Sequence, residues 1–189
     1  MDGLQAESTQ KCKKANANGL QIIIESTGEY LEDFLRIYYC TMDRSDAQQD
    51  YYFSRRFFQD LCAMEDNIMF FHAVHEGRIV STELVIYGAE HAYSYLGGTD
   101  KETFDLRPND FLKYEIIKWT KEKGLKSFVL GGGYGADDGI FQYKLCLAPN
   151  GVQEFYIGRR IFDRQAYDTL VALRGDEPLN EKFFPLYRS

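Results

Sequence analysis

The sequence predicts an α/β domain in which a mixed central sheet carries helices on both faces. Three observations predict it. Strand-like and helix-like segments follow the order strand, two helices, three strands, helix, strand, helix and one or two late strands. The three middle strands, within residues 68–97, are joined by short turns and so run antiparallel. A strand that returns after a helix can instead run parallel to its neighbour, which makes the sheet mixed. At 189 residues the chain is long enough for one domain with a real core.

Each element has its own signal. Residues 1–19 are polar, with Lys11, Lys13 and Lys14 clustered ahead of Gly19, and read as a flexible lead-in. The single domain is expected over residues 20–175, with an irregular tail at 176–189. Residues 20–25 (LQIIIE) form a first strand. Ser26 and Glu29 have the spacing of a capping box, and Leu31, Phe34, Leu35, Tyr38 and Met42 make a helical stripe. A polar loop at 43–53 leads to a second helix from about Ser54, with Phe57, Phe58 and Leu61 on its apolar side. Residues 68–74 (IMFFHAV) are nearly all apolar, as in a strand covered on both faces. Glu76 and Gly77 suit a tight turn into a strand at 79–87. Strict alternation there puts Ile79, Ser81, Glu83, Val85 and Tyr87 on one face and Val80, Thr82, Leu84 and Ile86 on the other. A turn at 88–90 precedes a strand at 92–97.

Pro108 and Asn109 open the clearest helix, stopped by Gly124, with Leu112, Ile116 and Trp119 as its inner stripe. Lys118, Lys121 and Lys123 read as its solvated face. Residues 126–130 make the next strand. Gly131, Gly132 and Gly133 close it, Gly135 follows, and Asp137 or Asp138 can cap a short helix carrying Lys144. Residues 152–162 suit one or two late strands bent at Gly158, and Asp163 can cap a last helix through Leu173.

Composition excludes some classes of function. With 22 basic against 29 acidic residues the net charge is −7, which argues against a surface that grips polyanions broadly. The 14 Tyr and 14 Phe can line a groove or simply fill the core. Cys12, Cys40, Cys62 and Cys146 lack metal or redox spacing and read as free thiols. His72, His75 and His91 form no metal set. No apolar run approaches a membrane span and no signal-peptide pattern opens the chain, so a cytoplasmic protein is expected.

The order of elements resembles the GNAT N-acyltransferase superfamily. In that fold two central parallel strands splay apart and the acyl donor lies in the gap; here they would be residues 92–97 and 126–130. The wording of the motifs is similar to the second half of the Fem-type peptidoglycan-bridge aminoacyltransferases. The resemblance rests on YLGGTD at 95–100, LRPNDFLKYEIIKW at 106–119 and GGGYGADDGIFQYKLCL at 131–147, with KKANANGL, YYCTMDR and YYF earlier in the chain. It covers roughly residues 12–165. It implies transfer of an acyl group, an aminoacyl group in that family, from an aminoacyl-tRNA to the amine of a cell-wall precursor peptide. Fem-type enzymes carry two such domains and one is present here, so the chain is expected to be a fragment with a GNAT-like half as partner or a single-domain relative; the rival readings are a non-catalytic binding half and a single-domain CoA-dependent N-acetyltransferase. Leu147 and Ala148 stand where the family has a Phe-Gly pair. The residues TFDLRPND stand where ordinary GNAT enzymes place the glycine loop that holds CoA pyrophosphate, and Asp110 puts a carboxylate in the first helical turn. No cofactor is therefore expected. Acetyl-CoA is disfavoured, and contact with a tRNA is expected at its acceptor end only.

Acyl transfer to an amine needs donors for an oxyanion, a route for the amine proton and alignment of the two substrates. Lys144 matches the family's helix lysine, which the resemblance assigns to the developing charge; its other reading is a solvated lysine. Glu83, amid strand residues, is a candidate base or an exposed carboxylate. Tyr143 is a candidate proton donor, as a tyrosine on the equivalent helix is in several GNAT enzymes. Adjacent helix residues point about 100° apart, so Tyr143 and Lys144 cannot both aim squarely at one atom. Tyr95, Gly97 and Gly98 lie where the splay should open and can offer backbone groups to the donor, or form only a bulge and a turn. Asn109, Gly131, Gly132, Gly133 and Phe141 complete the expected substrate-binding set, and no metal is expected.

Overall fold

Strand β1 (Gln21–Glu25) lies at one edge of a five-stranded sheet, followed in spatial order by β2 (Ile68–His75), β3 (Arg78–Tyr87), β4 (His91–Thr99) and β5 (Ser127–Val129). The first three pairings are antiparallel and the last, β4 with β5, is parallel. The computed structural model describes residues 19–133, 138–175 and 179–188. The lead-in lysines, Cys12, Gly135 and Asp137 lie outside the described residues. The chain folds as two compact units, one ending at Asn150 and the other beginning at Gly151.

Helices cover both faces of the sheet in the first unit. Helices α1 (Leu31–Arg44) and α2 (Arg55–Cys62) pack Phe34, Leu35, Tyr38 and Phe58 against Ile68, Phe70 and Leu84. Helix α3 (Pro108–Glu122) packs Phe111, Leu112 and Ile116 against Phe71, Ala73, Val85 and Ala92 on the opposite face. Both halves of the alternation in β2 are therefore buried, as its apolar sequence requires. Glu76 and Gly77 both have positive φ, the backbone of a tight hairpin turn, and Gly124 ends α3 with φ +74°.

Local signals set most boundaries, with four corrections. Ser54 caps α2 by accepting from the Phe57 N–H, and Asp163 caps α5 (Arg164–Ala172) by accepting from Ala166. The capping box of Ser26 and Glu29 does not form. Glu25 takes that task, accepting from the Thr27 and Gly28 N–H groups at 2.7 Å, and α1 starts later behind an uncapped Tyr30. The polar stretch 43–53 contains a 3-10 turn, Gln49–Tyr51. In β3 a bulge makes Ala73 face Ser81 while Val74 faces Ile79. The extra residue, Val80, therefore joins the α3 face and Ile79 packs with Ile37 of α1, reversing the predicted pair; Glu83, Val85 and Tyr87 keep theirs. Residues 152–162 form no strand, because apolar alternation there meets no partner for its backbone groups. Among the described residues, no helix is long and apolar enough to cross a membrane.

Candidate active site

Strands β4 and β5 pair only over His91–Tyr93 against Ser127–Val129. Beyond that point β4 continues to Thr99 with β5 no longer beside it, so a gap opens in the sheet at Ser94. A bulge reinforces the divergence: Val85 faces Ser94 and Leu84 faces Leu96, leaving Tyr95 as the extra residue. Gly97 and Gly98 lie in the strand, not in a turn. A Cβ at Gly97 would overlap the Thr82 carbonyl oxygen, and one at Gly98 would overlap Thr41 of α1, so both allow close packing.

A cavity of about 560 Å³ occupies the gap. It gathers seven of the residues singled out from sequence: Glu83, Tyr95, Gly97, Gly98, Asn109, Tyr143 and Lys144. Gly131, Gly132, Gly133 and Phe141 are not on its wall. The Gly132 carbonyl instead holds Lys144 Nζ at 2.6 Å, Gly133 lies against the Asp138 carboxylate, and the Phe141 N–H donates to Asp138 Oδ1 at 2.6 Å. Their contribution is to the fold of helix α4 (Gly139–Leu147) and to the aim of its lysine.

Three polar arrangements face the cavity. Glu83 is neither exposed nor alone. Its Oε1 accepts from Lys113 Nζ at 2.6 Å and from Ser94 Oγ at 2.7 Å, and the two side chains of the ion pair are 5% and 8% exposed. The second arrangement ties α3 to α4. Arg107 Nε pairs with Asp110 Oδ2 at 2.8 Å, Tyr143 Oη donates to Asp110 Oδ1 at 3.1 Å, and Asn109 donates to Tyr143 Oη at 3.0 Å. Burial, then the Asp110 carboxylate, pushes the Tyr143 phenol far above its ordinary range, so it stays protonated. The third is Lys144. Burial and the nearby Lys113 ammonium hold it below the ordinary lysine value, partly opposed by Asp138 and Glu83. As the 100° offset requires, Tyr143 and Lys144 engage different groups.

Lys113 and Ser94 went unnoticed in the sequence. A signal for Lys113 exists: it stands three residues before Ile116 and seven before Thr120, on a face whose members are buried. A lysine on such a stripe must find a buried counter-ion.

Residues 6–145 match the model of the acetyltransferase (GNAT) domain. The chain belongs to that family. Its solved neighbours show the GNAT fold at low identity. An aminoglycoside acetyltransferase, meta-AAC0020 from an uncultured soil metagenomic sample, aligns at 15% identity and TM-score 0.57, over 76% of this chain and 97% of the other. FemX aligns at 14% identity and TM-score 0.58, over 70% of this chain and 49% of FemX, so this GNAT domain corresponds to about half of that protein. The C-terminal domain of a putative lysylphosphatidylglycerol synthetase from Agrobacterium fabrum aligns at 15% identity and TM-score 0.54, over 69% and 42%. No curated protein matches the chain.

Proposed function

We propose that this GNAT domain is an N-acyltransferase that moves an aminoacyl group to an amine acceptor such as a cell-wall precursor peptide. The observation that carries the reading is the convergence of a carboxylate and an ammonium, Glu83 and Lys144, on one cavity at the splay of β4 and β5. The amine nitrogen attacks the acyl carbon, forming the N–C bond and placing negative charge on the carbonyl oxygen. Lys144 is the donor for that oxygen. Glu83 takes the proton the amine loses. Collapse breaks the acyl C–O bond, the electron pair leaves on the donor's hydroxyl oxygen, and a proton equal to the one lost by the amine completes that hydroxyl. Tyr143 can supply it only if an incoming group displaces Asp110 from the phenol.

The donor side is argued from the start of α3. A helix N-terminus attracts anions, yet here Asp110 already occupies the first turn, and Arg107 and Tyr143 bind its two oxygens. A pyrophosphate must compete with a carboxylate already held there, which disfavours acetyl-CoA and favours the acceptor end of an aminoacyl-tRNA. The correspondence to half of FemX supports a second GNAT-like half as a partner that helps bind the acceptor.

Calorimetry with acetyl-CoA, beside transfer assays with total tRNA charged with a labelled amino-acid mixture, tests the reading. Acetyl-CoA should bind weaker than about 1 mM, a free energy of under about 4 kcal/mol. A micromolar constant would establish the ordinary acetyltransferase instead. Absence of transfer from either donor would leave a binding half without catalysis.

A further inference from the structure

A carboxylate accepts a proton in a defined direction only if its orientation is fixed, and Glu83 is fixed through one oxygen. Lys113 Nζ and Ser94 Oγ both donate to Oε1, and Lys113 also donates to Ser94 Oγ at 2.8 Å, closing a ring of three hydrogen bonds. The ring spans three elements, since Glu83 is on β3, Ser94 on β4 where the gap opens, and Lys113 on α3. Among the described residues no hydrogen bond reaches Oε2, and Glu83 lines the cavity. The Lys113 ammonium also lies over the Phe128 ring on β5, 5.6 Å from its centre.

We propose that Lys113, with Ser94, is a positioning residue of the transfer, pinning one oxygen of Glu83 so that the other receives the acceptor's proton. This rests on the transferase reading above. The same ammonium repels Lys144 across the cavity, so Lys113 bears on both halves of the machinery. Among the described residues the charged groups acting on Lys144 are Lys113 from α3, Glu83 from β3 and Asp138 ahead of α4.

The test compares wild type, Glu83→Gln, Lys113→Met and the double variant, with charged total tRNA as donor and a lysine-containing peptide as acceptor. Glu83→Gln should lower kcat by about 10²–10⁴-fold, the usual loss of a general base. Lys113→Met should lower kcat by about 10²-fold, as a misdirected group does, with the donor KM unchanged. The double variant should be no slower than Glu83→Gln, because Lys113 aids the transfer only through Glu83, and removing its charge relieves the repulsion of the Lys144 ammonium. Wild-type kcat in Lys113→Met, or a further loss in the double variant, overturns the proposal. Should Lys113→Met not fold, the double variant, which removes both buried charges, still makes the decisive comparison with Glu83→Gln. Absence of transfer by wild type overturns the proposal with the reading it rests on, and NMR of ε-¹³C lysine separates the two failures. A move of the Lys113 resonance on Glu83→Gln shows the Lys113–Glu83 pair intact and the reading at fault; no move shows that the pair itself is absent.

Discussion

In the proposed transfer Lys144 is the residue whose charge the chemistry needs most directly. Its bond to the Gly132 carbonyl holds it at the cavity wall, and an oxyanion placed there would gain an ammonium donor as charge develops. Lys144→Met keeps the stem and removes the charge. Transfer should fall by about 10²–10³-fold, or roughly 3–4 kcal/mol, in single-turnover rate. Stability should change by less than about 1 kcal/mol by thermal unfolding, since the side chain is only partly buried. Near-normal turnover would reduce Lys144 to a lysine that stitches α4 to the glycine loop. The pH dependence has a definite sign. The ammonium is the active form and its pKa is lowered, so activity persists below that midpoint and disappears on the alkaline side earlier than an ordinary lysine would allow. At this scale the sequence was legible where function follows from local context. Asp138 adjoins the loop, and Lys144 follows it between one and two turns into the next helix. Lys113 was illegible as a partner of Glu83, because thirty positions separate them in the chain and only the fold sets them 2.6 Å apart.

Elements are set by caps and by partners, and the two differ in how far they can be read ahead. Asp138 caps α4 and also sits close enough to Lys144 to raise its pKa. Asp138→Ala should therefore cost about 1 kcal/mol of stability and, separately, push the Lys144 midpoint lower still. A loss of transfer without any stability change would move Asp138 from capping into the binding set. Glu25 carries the turn ahead of α1. Burial alone would raise its carboxyl, but hydrogen bonds from His72 and from the Gly28 and Thr27 N–H groups outweigh it and the pKa is lowered. A lowered carboxylate contributes stability above its unfolded pKa, and that contribution fades as pH falls through the folded value. Glu25→Ala should thus cost about 1–3 kcal/mol at neutral pH, by the usual worth of hydrogen bonds to a charge, and markedly less in acid, once the pH has fallen through the folded value. An equal cost at both pH values would mean that packing, not charge, matters there. The caps at Asp138 and Asp163 were legible because a cap is one residue and the turn after it. The β3 bulge and the missing strands at 152–162 were not, because alternation says which way side chains point and not which backbone will pair.

At the scale of the whole molecule the proposed donor poses a question, namely how an acidic protein would hold a polyanion. The chain carries a net charge of −7, and Asp110 stands in the first turn of α3, where a phosphate would otherwise be drawn. Long-range attraction to the body of a tRNA is therefore absent, and like charges repel at distance. What remains is the cavity itself, where Lys144 offers local positive charge, Lys113 is already paired with Glu83, and Tyr95 offers a partly exposed ring. A donor recognised in this way is gripped at its end, by one or two phosphates and by stacking, and not along its length. Salt dependence measures that number directly. For single-stranded nucleic acid, log K falls with log salt at about −0.7 per phosphate contacted, so a slope of about −0.7 to −1.4 is expected. A short charged hairpin carrying only the acceptor stem should then be used about as well as the complete tRNA. A slope steeper than about −3, equivalent to four or more phosphates, or strong preference for the complete tRNA, would mean that a basic surface outside this chain takes part. In that case the candidate is the second GNAT-like half proposed above, and the slope measured with such a half present should exceed that of this chain by the phosphates the partner contacts.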